Sequence, residues 1–267
     1  VSNWIIAPIV AVVLANLFLK GQEQLIVAII LLGSSPCTAM VLVWGKLAEG
    51  NQEQNVINTS LNTISIMILY VPIVSLLTGL QNIPIDRLAL AISALVFIGA
   101  PLLVGIITKR LIIKYKGEAW FSRTYRPAVG KISTAALLTT LIVLFSLNGQ
   151  VLINHFDLLG LVSIPLLLSF VIIVAYNLIT TRIFKLKYRE AIITVLIGSS
   201  SHFEIAIAAA VSMYGVGSLA ALGTTMGLFW EVPIMLGLVQ LGKYLNRKNF
   251  WGDQTVKPVE SAATLPN

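Results

Sequence analysis

Apolar residues fall into eight long runs, about 3–20, 24–48, 54–80, 85–109, 127–148, 157–183, 189–215 and 217–245. Runs of about 18 or more apolar residues predict membrane-spanning helices. Most of the links between them are short and polar: 21–23, 49–53, 81–87 and 148–157. One longer, basic link runs from Lys109 to Lys131. The tail after Asn246 is polar, rich in small residues, and expected to be disordered. Two runs, the second and the seventh, are interrupted near their middles by Gly33-Ser34-Ser35-Pro36-Cys37-Thr38 and Gly198-Ser199-Ser200-Ser201-His202-Phe203-Glu204. The pattern predicts an all-α polytopic membrane protein with two discontinuous helices.

Composition agrees. Of 267 residues, 57% are hydrophobic and 11% charged, against about 45–50% and about 25% in soluble domains. That excludes an ordinary cytosolic enzyme, a disordered chain and a nucleic-acid module. The net charge of +7 reads as topology, because 16 of the 18 Lys and Arg residues fall in the links on one side, with Lys20 and Arg87 opposite. Basic residues mark the cytoplasmic side. Both ends of the chain are therefore expected in the cytoplasm, with the spans in the cell membrane and the basic links against anionic lipid. One cysteine, Cys37, excludes a disulfide framework and a zinc site built on several thiolates, and two histidines, His155 and His202, argue against a multi-histidine metal site. No cofactor is implied. The chain begins at Val1, almost inside an apolar run, with no cleavable leader in view.

A repeat then appears. Ile30-Leu31-Leu32-Gly33-Ser34-Ser35 is answered by Val195-Leu196-Ile197-Gly198-Ser199-Ser200 at an offset of 165. Tyr70-Val71-Pro72-Ile73 is answered by Glu231-Val232-Pro233-Ile234 at an offset of 161. The matched elements lie five spans apart, an odd number, so the second copy must cross in the opposite sense. An inverted repeat is the usual plan of secondary transporters. Residues 1–80 then form the later part of a first five-helix repeat, 85–246 the second repeat, and 247–267 a cytoplasmic tail. The count predicts ten helices in the intact protein, eight of them here, and hence a fragment without its first two helices.

Matched, Gly/Pro-interrupted spans in inverted halves point to a substrate site near the midplane. A single such break is more often a packed kink; the matched pair favours a site. Ser35-Pro36 reads as an N-cap and first helical residue, placing Cys37 in the first turn of a half-helix. The positive end of a helix favours thiolate, which suits a thiophilic solute. Cys37 is equally readable as a small apolar filler. Ser34, Ser35, Ser200 and Ser201 would shape the site. Glu204 is an intramembrane carboxylate, costly at ~2.5 kcal/mol or more on insertion scales and functional by default. It reads as a proton carrier, and Ser201-x-x-Glu204 also fits a capping box. His202 could share the proton or serve as a hydrogen-bonded buried imidazole. Glu231 is a second such carboxylate, facing the cavity or paired with a Thr or Asn. Asn58 and Asn62 share a helix face and either line the site or bond neighbouring helices.

At these residues the sequence resembles the arsenite efflux permeases of the bile acid/sodium symporter superfamily. The likeness rests on Pro36-Cys37-Thr38-Ala39-Met40-Val41 with Trp44, on Phe203-Glu204, and on Glu231-Val232-Pro233, and runs the length of the chain. It implies ten helices in two inverted repeats, with crossed discontinuous helices four and nine carrying Cys37 and Glu204. It also implies export of arsenite, sometimes antimonite, against protons, with Cys37 at the metalloid and Glu204 carrying the proton. His202 stands where such permeases commonly have Asn, which leaves pH dependence and metalloid preference open. The chemistry agrees, since one thiol captures arsenite weakly and reversibly whereas three would hold it too tightly for release.

The nearest rival is a sodium-coupled organic-anion or bile-acid-type symporter of the same superfamily. Such carriers build sodium sites from Glu with Gln or Asn, and residues 198–215 contain neither amide. An intramembrane enzyme using Cys37 or a serine with His202 finds no supporting motif. A receptor is the remaining alternative.

Overall fold

The computed structural model describes residues 1–154 and 156–252; His155 and most of the polar tail lie outside the described residues. All named elements are helical: α1 (Ala7–Phe18), α2 (Glu23–Gly33), α3 (Met40–Leu47), α4 (Gln52–Leu80), α5 (Arg87–Ala94), α6 (Ala100–Trp120), α7 (Arg126–Asn154), α8 (Phe156–Ile183), α9 (Tyr188–Ser199), α10 (Phe203–Tyr214) and α11 (Leu219–Arg247). Wider π-helical turns precede α1 and join α5 to α6 and α6 to α7. The protein is thus an all-α polytopic membrane protein. Four helical stretches among the described residues are each long and apolar enough to cross a membrane: Gln52–Leu80, Arg87–Ser133, Gly160–Ile183 and Leu219–Arg247.

The second and seventh apolar runs are each split as the sequence predicts, into α2/α3 and α9/α10. Two links differ from expectation. The basic link 109–131 is itself largely helical, and the chain turns inside it at Gly117, whose φ is +81°. Glycine alone takes that conformation at no steric cost. The turn brings Lys109 over the Phe121 ring, 5.9 Å from its centre, a contact an unbroken helix would forbid at 1.5 Å of rise per residue. The expected link 148–157 is also taken up, by α7 to Asn154 and by α8 from Phe156.

The two broken spans form the centre. α2 packs on α1, α10 and α11, and α9 packs on α8, α11, α3 and α4. The helices approach this closely because glycines face their neighbours, as in many membrane interfaces. A Cβ on Gly223 or Gly227 of α11 would lie 2.8 Å from Ala28 or 2.6 Å from Leu32 of α2. A Cβ on Gly33 would overlap the Ala11 side chain of α1, and one on Gly198 would lie 2.5 Å from Asn177 of α8. A glycine at or next to the end of each first half-helix is therefore held against the preceding helix.

Packing at Gly33 can be tested by rescue. Gly33→Ala should cost about 1–3 kcal/mol through overpacking and lower the melting temperature of the purified protein. Adding Ala11→Gly should restore most of it, whereas Gly237→Ala, whose Cβ meets open space, should leave the melting temperature unchanged or raised.

Candidate functional site at the crossing of the two breaks

The breaks meet side by side through their backbones. Pro36 and Ser201 form an antiparallel bridge. The Cys37 N–H donates to the Ser200 carbonyl at 3.3 Å, and the His202 N–H donates to the Ser35 carbonyl at 2.7 Å. Backbone groups freed from a helix inside a membrane must be bonded within the protein, and each break supplies the partners of the other. Pro36 has no N–H to leave unpaired.

This pairing changes the expected start of the second half-helix. An extended backbone at Pro36 and Cys37 cannot also be the first turn of a helix. α3 begins only at Met40, with Ala39 as its uncapped N-terminal residue. Cys37 therefore sits in the break, three residues before α3, rather than in its first turn. It is 2% exposed. The Asn62 amide of α4 donates to its carbonyl at 3.1 Å, and Ser200 lies beside its thiol. Asn62 thus reaches the site; Asn58, one turn earlier, is half-buried and its side chain forms no hydrogen bond among the described residues.

The expected capping box is replaced by a different carboxyl. Ser201 is extended and the residue capping α10 is His202, so Glu204 falls at the second helical position instead of the third, which a capping box requires. Instead Glu231 of α11 takes the Ser201 N–H at 3.0 Å. The same side chain accepts from the Ser200 hydroxyl at 2.6 Å and from the Ser201 hydroxyl. Glu231 is fully buried, and three donors converge on it, the arrangement that makes burial of a carboxyl tolerable. The sequence leaves Glu231 facing the cavity or paired with a neighbour such as a Thr or Asn; its hydrogen-bond partners are the two break serines.

Glu204 is the more open carboxyl. Its Oε2 lies 3.0 Å from Nδ1 of His202, and its side chain is 31% exposed against 14% for the histidine. His202 and Glu204 are thus brought together as expected. Ser35 is buried and donates to the Leu32 carbonyl of its own helix end. Ser34 is fully buried, with no partner for its hydroxyl among the described residues.

A cavity of about 50 Å³ opens beside the crossing, walled by Gly33, Ser35, Pro36 and Ser199–Ser201 together with α1 and α8. It has room for a few waters at about 10–15 Å³ each. Cys37 adjoins this wall through Pro36 but is not on it. Sequence reasoning missed three contributors. Asn177 of α8 donates to the Ser199 hydroxyl at 3.3 Å; as the only amide in the run 157–183 it carried a signal. The Asn3 amide, with its nitrogen turned inward, donates to the Gly198 carbonyl at 3.2 Å, and Ser2 donates to the same carbonyl at 3.1 Å.

With this geometry in place, relatives define the class. The profile of the Sodium Bile acid symporter family matches residues 1–155. The chain is 36% identical to an "Uncharacterized transporter slr0944" of Synechocystis sp., over 94% of this chain and 70% of that protein. It is 30% identical to the Arsenical-resistance protein Acr3 of Alkaliphilus metalliredigens, over 94% of this chain and 72% of that one. It is 28% identical to the protein of the same name from Corynebacterium glutamicum, over 96% and 72%. The chain belongs to the Sodium Bile acid symporter family and is a membrane transporter, not an enzyme.

The two carboxyls are separable by how well they shield Cys37. Glu231→Gln removes an acceptor from the serines and should speed maleimide modification of Cys37 several-fold in the folded protein. Glu204→Gln should leave that rate unchanged.

Proposed function

We propose that this transporter exports arsenite from the cytoplasm by proton antiport. The observation that carries the reading is the position of its one thiol. Cys37 lies in the break of one discontinuous helix, its N–H bonded to the break of the other. Arsenite near neutral pH is a small uncharged trihydroxide. Attack by the Cys37 sulfur would form one S–As bond and break one As–O bond, the thiol proton leaving with the hydroxide as water. The reverse step, with water, releases the cargo. A single sulfur keeps capture reversible. The resistance proteins in two relatives' names support the same cargo, and antimonite shares its chemistry.

The absence of Asn and Gln from residues 198–215 favours protons over sodium. Ionised, Glu231 accepts from all three of its donors. Protonated, it must turn one oxygen into a donor, so proton uptake would loosen Ser200 and Ser201 and hence the crossing. Glu204 with His202, more open to water, is suited to pass that proton on. Coupling then works through backbone pairing rather than contact between proton and cargo.

The pairing also supports the inverted repeat. Pro36 and Ser201, joined in the bridge, differ by the same 165 that separates the sequence copies. Exchanging the copies turns the bond from Cys37 to Ser200 into the bond from His202 to Ser35. The partners at the other offset behave alike: Tyr70 donates to the Leu31 carbonyl ahead of the first break, and Glu231 ties down the second. Two copies related in this way can exchange roles as the site opens first to one side and then to the other.

The test is arsenite uptake by inside-out vesicles under an imposed proton gradient. Wild type should accumulate arsenite, Cys37→Ser and Glu231→Gln should lose at least tenfold in initial rate, and Glu204→Gln should shift the pH dependence. Equal uptake by all four, or sodium-driven uptake of a bile-acid-like anion in place of arsenite, would contradict the reading. A parallel antimonite series measures metalloid preference.

A further inference from the structure

A second feature lies outside the crossing, where α4 turns into α5. Two open cavities adjoin there and share Ser75, Gly79 and Arg87. One continues along an apolar wall that includes Leu76 and Leu80, which are 61% and 66% exposed. The other is lined at its polar end by Thr78 and Asn82. Gly79 opens the groove between them, since a Cβ there would meet nothing within 4 Å.

The polar end carries unspent capacity. Arg87 pairs with no carboxylate among the described residues; the neighbouring Asp86 spends its Oδ1 on the N–H groups of Leu88 and Ala89. Arg87 is also one of only two cations on the face that the charge bias leaves depleted, so bulk topology does not account for it. An occupant must be anionic at one end and hydrocarbon at the other. From Val71 to Leu80 the wall rises about 13 Å at 1.5 Å per residue, close to half of a ~30 Å hydrocarbon core.

We propose that the α4–α5 groove is a phospholipid site, with the phosphodiester held by Arg87 and one acyl chain lying along Leu76 and Leu80. Guanidinium groups suit phosphate through their fork of donors. The chemistry at the polar end is shared with free phosphate, and the hydrocarbon wall separates the two sources.

Native mass spectrometry of the full chain in detergent, titrated with phosphatidylglycerol, tests this. Wild type should retain one lipid per chain. Arg87→Gln and Gly79→Leu should each lower retention at least tenfold, and Arg87→Lys should keep most of it. Gly79→Leu points into open space, so its melting temperature without lipid should match wild type. Millimolar inorganic phosphate should not displace the lipid. Unchanged retention in both loss variants, as for lipid held non-specifically around the helices, would overturn the proposal. So would displacement by inorganic phosphate as effective as that by a short-chain phosphatidylglycerol.

Discussion

The reciprocal backbone pairing of the two breaks is the interaction on which the centre of this protein depends. Unwound backbone at membrane depth leaves N–H and C=O groups that no lipid can satisfy, each costing several kcal/mol. One break alone would be a defect. Two breaks laid antiparallel, Ser35–Cys37 against Ser200–His202, bond each other. The helices around them hold that arrangement. Gly33 and Gly198 allow α1 and α8 to press against the ends of α2 and α9, and Gly223 and Gly227 allow α11 to press against α2. Asn62 fixes the first break through the Cys37 carbonyl, and Glu231 fixes the second through both serines.

This pairing divides labour among polar groups that look alike in sequence. Glu231 and Glu204 are both carboxyls set within apolar runs. The first is fully buried and bonded on three sides; the second is partly open and sits beside His202. In the proposed mechanism the buried carboxyl carries the structural consequence of protonation, and the open pair carries the path to water. Because the Cys37 N–H is bonded to the Ser200 carbonyl, loosening the clamp would, in that mechanism, move the cargo site without any direct contact between proton and cargo.

Much of this was legible in the sequence. Eight apolar runs became helical segments, and the two interruptions became the two breaks, because Gly, Ser and Pro in mid-span have few alternatives inside a membrane. Equating Gly33 with Gly198 at an offset of 165 anticipated residues that pair directly. The details that failed share one cause. Reading Ser35-Pro36 as a helix start and Ser201-x-x-Glu204 as a capping box assumed that each break was satisfied locally. Both are satisfied across the fold, by the opposite break and by Glu231 some 30 residues on. Local motifs cannot register a partner that only packing supplies. The helical course of the link 109–131 was missed because its charges resemble those of a loop, although only Gly117 turns the chain there.

The central claim is that cargo is held by one sulfur at the crossing, and the direct measurement is arsenic X-ray absorption on the purified protein loaded with arsenite. The account predicts one sulfur and otherwise oxygen around bound arsenic in wild type, and no sulfur in Cys37→Ser. Arsenic bound to the same extent and surrounded only by oxygen in both proteins would contradict it.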